Sequence, residues 1–344
     1  MPRFSSMTTT IGVLMSENTM PSPYLRELME LGKTMGFPVR PISASSLSSL
    51  SRWPDVIYNR IATRKEESSI AVLRLKRQLQ QEGIPYFNER FFNKKEIDQL
   101  LRAKHDVKHV LPATLSYTQE ANMLHAFLEQ QEAIYLKPIA GSMGEGICRI
   151  QKLDHQYLLQ FREGRMTKSV SYASLQKALA TARNKMRSMP YLIQASIELK
   201  RYQEAKTDFR VHLCKNENKV WVVVAIAAKL ASKSGITTHV HSGGHVENAV
   251  RVLTSWYGKR AHDVIEQLEQ TAKQITNAIE HHLQIELGEM GLDMGIDIRD
   301  QIYLFEANAK PGRMIFSHPT MREASIYSQQ CIIRYACACA QAFS

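Results

Sequence analysis

Residues 291–312 read GLDMGIDIRDQIYLFEANAKPG. Two apolar runs with period-two alternation flank the polar pair Arg299 and Asp300, which predicts a β-hairpin ending in a Pro-Gly turn. Side chains two apart on a strand share a face, so Glu306 and Asn308 offer oxygen donors together, and Asp293, Gly295 and Asp297 share a face of the preceding strand. A turn centred on Arg299 and Asp300 sets Asp293 opposite Glu306; a turn one residue later brings the Gly295 region there instead. Asp293, Glu306 and Asn308 are therefore taken as a ligand set for a hard cation such as Mg²⁺ that bridges to phosphates, with Asp297 in reserve. A carboxylate on an otherwise apolar strand is costly without a partner, which weighs against an ordinary polar strand end.

Upstream, AIYLKPIAGSMGEG sets Lys137 at the end of an apolar strand and follows it with the loop Gly141, Ser142, Met143, Gly144, Glu145, Gly146. Glycines let backbone amides approach a polyanion closely, so the loop suits phosphates, although a hairpin turn would use glycine too. It lacks the Gly-Lys-Ser/Thr ending of a Walker loop, and no G-x-G-x-x-G opens a helix. A strand-borne lysine ahead of the loop points to another nucleotide fold. Between these two motifs, Asp208 and Arg210 alternate on one strand face, Lys229 ends the next strand, and THVHSGG supplies His239, His241 and the Gly243-Gly244 turn. A guanidinium oriented by a carboxylate can steady a transferring phosphoryl group or an acyl phosphate. A structural ion pair and solvated histidines are the plainer alternatives.

The chain has 344 residues, 44% of them hydrophobic, and this predicts a globular protein of two or three lobes. Its formal charge of +11 favours anionic partners. The basic residues are scattered without an aromatic-interleaved stripe, which argues against a polynucleotide. No run approaches about 20 apolar residues and the first residues do not resemble a secretory signal, so a cytosolic location and no membrane are expected. The 5 cysteines include no CxxC pair, and Cys331, Cys337 and Cys339 fit small buried positions on a terminal helix.

Strands at TTTIGVLMS, FPVRPIS and DVIYNRI, with the helix PSPYLRELMELGKTMG, make an N-terminal α/β lobe over residues 1–90. At the end of its third strand Asn59, Arg60 and Arg64 stand where an open α/β sheet presents groups to a ligand, and they suit a substrate carboxylate or phosphate; surface charge is the alternative. Asn93 with Glu96 resembles a capping box opening the next helix. Residues 91–195 carry Lys137 and the glycine loop, and residues 196–344 the hairpin-rich remainder.

Taken in order, Lys94, Lys137 with its loop, Gln194, Asp208-x-Arg210, Lys229, Gly243-Gly244, Asp293, Glu306 and Asn308 resemble the ATP-grasp superfamily over residues 90–315. More narrowly, VIYNRIATR, FFNKKE, YLKPIAGSMGEGI, TTHVHSGG and the 291–312 stretch resemble the endospore coat-associated YheC/YheD family over nearly the whole chain. The resemblance implies an ATP-grasp fold: an α/β lobe followed by two α+β lobes that clasp ATP. It implies Lys94, Lys137 and residues 141–146 on the phosphates, and Gln194, Ala195, Ile197, Glu198 and Asp208 around adenosine. It further implies Arg210 and Lys229 as catalytic cations, Asp293, Glu306 and Asn308 on Mg²⁺, and His241, Gly243 and Gly244 beside the substrate. Two departures stand out. Ala195 occupies the place of an acidic residue after the hinge glutamine, and Lys229 that of an arginine, which supplies charge without a bidentate fork. The expected activity is ATP-dependent joining of a carboxylate to an amine, with an amino acid or peptide as candidate substrate, through an acyl phosphate. A catalytically weak spore coat-associated structural protein and a small-molecule kinase are the rivals.

Overall fold

The computed structural model describes residues 8–47, 52–117, 121–141, 144–164, 166–186, 189–232, 236 and 244–342. Ser142, Met143, His239, His241 and Gly243 lie outside them. Strands β1 (Ile11–Leu14), β2 (Val39–Ile42), β3 (Val56–Asn59) and β4 (Tyr86–Phe87) form a parallel sheet in the order β2-β1-β3-β4. Parallel neighbours need crossovers, and helices α1 (Pro23–Thr34), α2 (Ala44–Leu47), α3 (Arg64–Glu67) and α4 (Ile70–Gln81) lie between them in sequence. Helix α1 starts where Ser22 accepts from the amide of Leu25 with proline next, and its Leu25 and Leu28 face the core.

Helix α5 (Lys94–Arg102) opens the next segment. Asn93 caps it as expected, accepting from the amides of Lys95 and Glu96. Glu96 does not return to the cap; both its oxygens are held by Arg90 at 2.7 and 2.8 Å. The second sheet is antiparallel, built from β5 (Thr114–Ser116), β6 (Ala133–Pro138), β7 (Cys148–Leu153), β8 (Gln156–Glu163), β9 (Met166–Tyr172) and β10 (Tyr191–Ala195), in the order β5-β10-β6-β7-β8-β9. Helices α6 (Ala121–Gln130) and α7 (Leu175–Lys185) belong to this segment, and their buried residues share its core.

The third sheet, also antiparallel, runs β14-β13-β12-β15-β16, with β11 (Arg201–Tyr202) paired to β12 (Ala205–Lys215). Its other strands are β13 (Trp221–Leu230), β14 (His245–Asn248), β15 (Glu289–Ile296) and β16 (Ile302–Asn308). One face packs on α8 (Ala249–Tyr257) and α9 (Ala261–Leu283); residues from α5, including Ile97, Leu100 and Leu101, join the same core. Just after the expected boundary at residue 90, α5 thus shares its apolar face with the third sheet. Helix α10 (Arg322–Gln341) fills the space between that sheet and the first, where Ile332, Ile333 and Tyr335 meet Cys214, Val224, Tyr58 and Phe87. All five thiols are free and buried.

Candidate functional site

The β15–β16 hairpin places Asp293 opposite Glu306 and Gly291 opposite Asn308. Near the turn the register is Ile296 with Ile302, so the turn is centred on Arg299 alone; a bulge at Phe305 then absorbs one residue and restores the Asp293–Glu306 pairing. Asp297 is spent on this turn: its Oδ1 accepts from the amides of Arg299 and Gln301 at 2.9 and 2.8 Å.

Strands β12 and β13 supply the cations. Arg210 lies opposite Asp293 and grips it with two parallel bonds of 2.7 and 3.1 Å. Lys229, paired in register with Asp208, reaches Asp208 Oδ1 at 3.1 Å and Asp293 Oδ1 at 2.8 Å. Gly291 leaves room for the guanidinium: a Cβ there would stand 2.6 Å from Pro311 Cβ and 3.1 Å from Arg210 Nη1.

Two further lysines approach from other elements. Lys94, at the start of α5, donates to the Gly141 carbonyl at 2.7 Å and pairs with Glu306 at 3.0 Å. Lys137, at the end of β6, donates to Gln194 Oε1 at 2.5 Å and lies between the rings of Tyr135 and Phe305. Burial lowers the Lys137 pKa to about 8, against the pull of Glu306 and with help from Lys94. Beyond Gly141, Gly144 and Gly146 have φ of 72° and 74°, a left-handed backbone that glycine adopts without strain.

These groups gather at a cleft between the second and third sheets. Of the sequence candidates, Lys94, Lys137, Gly141, Gly144, Glu145, Gln194, Ile197, Asp208, Lys229, Asp293 and Glu306 line it. Arg210 stands behind Asp293, and Asn308 is half-buried one step further along the hairpin face. Other described candidates are not among the lining residues. The Gly146 carbonyl accepts from Tyr191, Ala195 is buried and bonded through its amide to Ala113, and Glu198 is exposed, with its carbonyl accepting from Ile298. Gly244 is buried and is not among the cleft residues. Lining residues that sequence reasoning missed include Tyr135, Leu199, Lys206 and Phe305. Lys206 precedes Asp208 by two on the same strand, so alternation alone could have put it on the cleft face.

Of the trio from the first lobe, Arg60 bonds to the third sheet, while Asn59 and Arg64 bond to residues between 67 and 92. Asn59 is fully buried and donates to Glu67 at 2.9 Å and to the Glu89 carbonyl at 3.1 Å. Arg60 pairs with the buried Glu289 at 2.5 Å, and Arg64 donates to the Phe92 carbonyl at 2.6 Å. Arg313, which follows the Pro-Gly turn, lies over the Tyr24 ring at 4.0 Å and approaches Glu289 at 3.6 Å. Burial would raise the Glu289 pKa, but Arg60, His212 and Arg313 hold it at about 2. Burial drives its neighbour His212 down to about 4.

The family model of the YheC/D-like ATP-grasp matches residues 83–338, which span α5, both antiparallel sheets and the whole cleft. The chain belongs to the YheC/D-like ATP-grasp family. Among relatives of this ATP-grasp protein, the endospore coat-associated protein YheD of Bacillus subtilis (strain 168) is 32% identical over 287 residues, covering 82% of this chain and 62% of YheD. The chain thus spans less than two thirds of that relative. In fold it is similar to the D-cycloserine synthetase DcsG, with a TM-score of 0.58, 13% identity and coverage of 97% of this chain and 100% of that one. It is also similar to an N5-carboxyaminoimidazole synthetase from Staphylococcus aureus complexed with ADP, with a TM-score of 0.53, 11% identity and coverage of 89% and 71%. No helix among the described residues of this YheC/D-like chain is long and apolar enough to cross a membrane.

Proposed function

We propose that this protein binds ATP with Mg²⁺ in the cleft and joins a carboxylate to an amine through an acyl phosphate. The observation that carries the reading is the facing acid pair Asp293 and Glu306, set across one cleft from Lys94 and Lys137. Hard oxygen donors on adjacent strands suit Mg²⁺, and Asp293, Glu306 and Asn308 would hold it. When bound, the ion supplies charge neutralisation at the β- and γ-phosphates.

The chain's own groups would then act as follows. Lys94 and Lys137 exchange their present partners, Glu306, the Gly141 carbonyl and Gln194, for phosphate oxygens. The substrate carboxylate attacks the γ-phosphorus, the bond to the β-phosphate oxygen breaks, and ADP leaves. The amine adds to the carbonyl carbon of the acyl phosphate, loses a proton and expels phosphate, forming the C–N bond. Arg210, fixed by Asp293, and Lys229 lie where they can balance the charge on the transferring group. No protein nucleophile is required. The likeness in fold to two synthetases supports this class of reaction.

The test is direct. Incubation of the purified protein with ATP, Mg²⁺ and a pool of amino acids and short peptides should release ADP and phosphate. Release of AMP, or no release across many substrates, overturns the reading.

A second reading, a spore coat-associated protein that keeps the fold without turnover, is favoured by the full internal neutralisation of the acids by Lys94, Lys229 and Arg210. Failure to bind ATP with or without Mg²⁺ would support it.

A further inference from the structure

Three of the four lysines in the cleft have partners: Lys94 has Glu306, Lys137 has Gln194, and Lys229 has two aspartates. Lys206 differs. It lines the cleft, it is half-buried, and among the described residues its ammonium has no hydrogen bond or ion pair. Its surroundings are cationic. Arg201 is its cross-strand partner, and burial together with Arg149 and Arg201 lowers its pKa to about 8, with no carboxylate pulling the other way. Arg149, on β7, is itself 9% exposed; it donates to Gln151 and Gln160, and its buried Nε has no partner among the described residues.

A desolvated ammonium set against two guanidinium groups is unfavourable unless something anionic joins them. Lys206 stands one alternation along β12 from Asp208, roughly 7 Å away by strand rise. Along β12 it lies on the other side of Asp208 from Arg210, the residue paired with Asp293. We propose that this end of the cleft is an oxyanion subsite, built on Lys206 with Arg149 behind it, that takes either a phosphate carried on the nucleotide's ribose or a free small oxyanion held beside the nucleoside. The proposal rests on the reading of the cleft as a nucleotide site and names a second anion contact within it.

The experiment compares AMP, adenosine 2′,5′-bisphosphate and adenosine 3′,5′-bisphosphate by calorimetric titration, and ATP with Mg²⁺ in the presence and absence of orthophosphate. The wild-type chain and Lys206→Met are used, and thermal melting confirms that the variant folds. A ribose phosphate source predicts that one bisphosphate binds about tenfold tighter than AMP, the size of one charge-assisted hydrogen bond, and that Lys206→Met removes the advantage. A free oxyanion source predicts that orthophosphate tightens ATP binding in the wild type and not in Lys206→Met. Should ATP bind while both bisphosphates match AMP and orthophosphate changes nothing, the subsite is refuted and the nucleotide reading stands. Should ATP fail to bind at all, both fall. If Lys206→Arg restores the lost advantage, charge at this position is the cause.

Discussion

Asp293 and Glu306 are acids that the chain already neutralises with its own cations, and this has a consequence for metal binding. Mg²⁺ alone must compete with ammonium groups at 2.8 and 3.0 Å, whereas phosphates draw those lysines away and free the carboxylates. Mg²⁺ without nucleotide should therefore leave the melting temperature unchanged, and ATP with Mg²⁺ should raise it. Glu306→Ala should lose the Mg²⁺-dependent part of that rise; retention of it would remove Glu306 from the ligand set. Lys137 adds a pH signature. With its pKa lowered to about 8, its charge is complete below that value and is lost as pH rises through it. Nucleotide affinity should accordingly fall from pH 7 to 9, and Lys137→Arg, which stays charged, should flatten the profile. At Gly291 the geometry is as restrictive as the chemistry. Gly291→Ala pushes a methyl onto Pro311 and Arg210, so it should cost about 1–3 kcal/mol by overpacking and lower turnover by displacing the guanidinium.

The hairpin was legible because alternation, a polar turn and a Pro-Gly stop all coincide in one local stretch. Its bulge was not: periodicity reports the faces of each strand but not a single extra residue between them, so Asp293 met Glu306 although the turn is centred on Arg299. Strands β8 and β9 escaped the sequence reading because β9 is exposed along most of its length and shows no apolar face. Helix α5 was legible through Asn93, but its apolar face did not say which sheet would cover it. That cap now bears on function, since Lys94 is the first residue of the helix and its amide donates to the Ile139 carbonyl at 3.2 Å. Asn93→Ala should cost about 1 kcal/mol by removing the cap. It should also weaken ATP binding several-fold by letting Lys94 fray from the loop, a pairing of effects that melting and titration on the same sample would show. A loss of stability with unchanged affinity would mean that the helix start does not position Lys94.

Arg60 and Glu289 are 229 residues apart, and no local pattern in the sequence could announce their pairing. The sequence placed Arg60 at a strand end suited to a ligand; in the folded chain its guanidinium joins the first lobe to the third sheet, with Tyr58 donating to the same carboxylate oxygen at 2.5 Å. Arg60→Ala would leave Glu289 buried with its closest cation gone, at a cost of about 3–5 kcal/mol. Turnover should then fall more than ATP affinity if the first lobe also presents the substrate. The same cluster governs acid stability, and its two members act in separate windows. His212 is held neutral, with a folded pKa of about 4 against 6.5, so the unfolded chain binds more protons between those values and stability falls as pH drops through them. Glu289 is held charged, at about 2 against 4.5, so its contribution is complete above 4.5 and is lost as pH falls towards 2. Melting temperature should thus decline on acidification first below pH 6.5 and again below 4.5. Glu289→Gln should be less stable at neutral pH yet show a shallower decline in the lower window, because it has no carboxylate to protonate. An equally steep decline in that variant would show that other acids, and not the Arg60–Glu289 junction, set the acid limit of the fold.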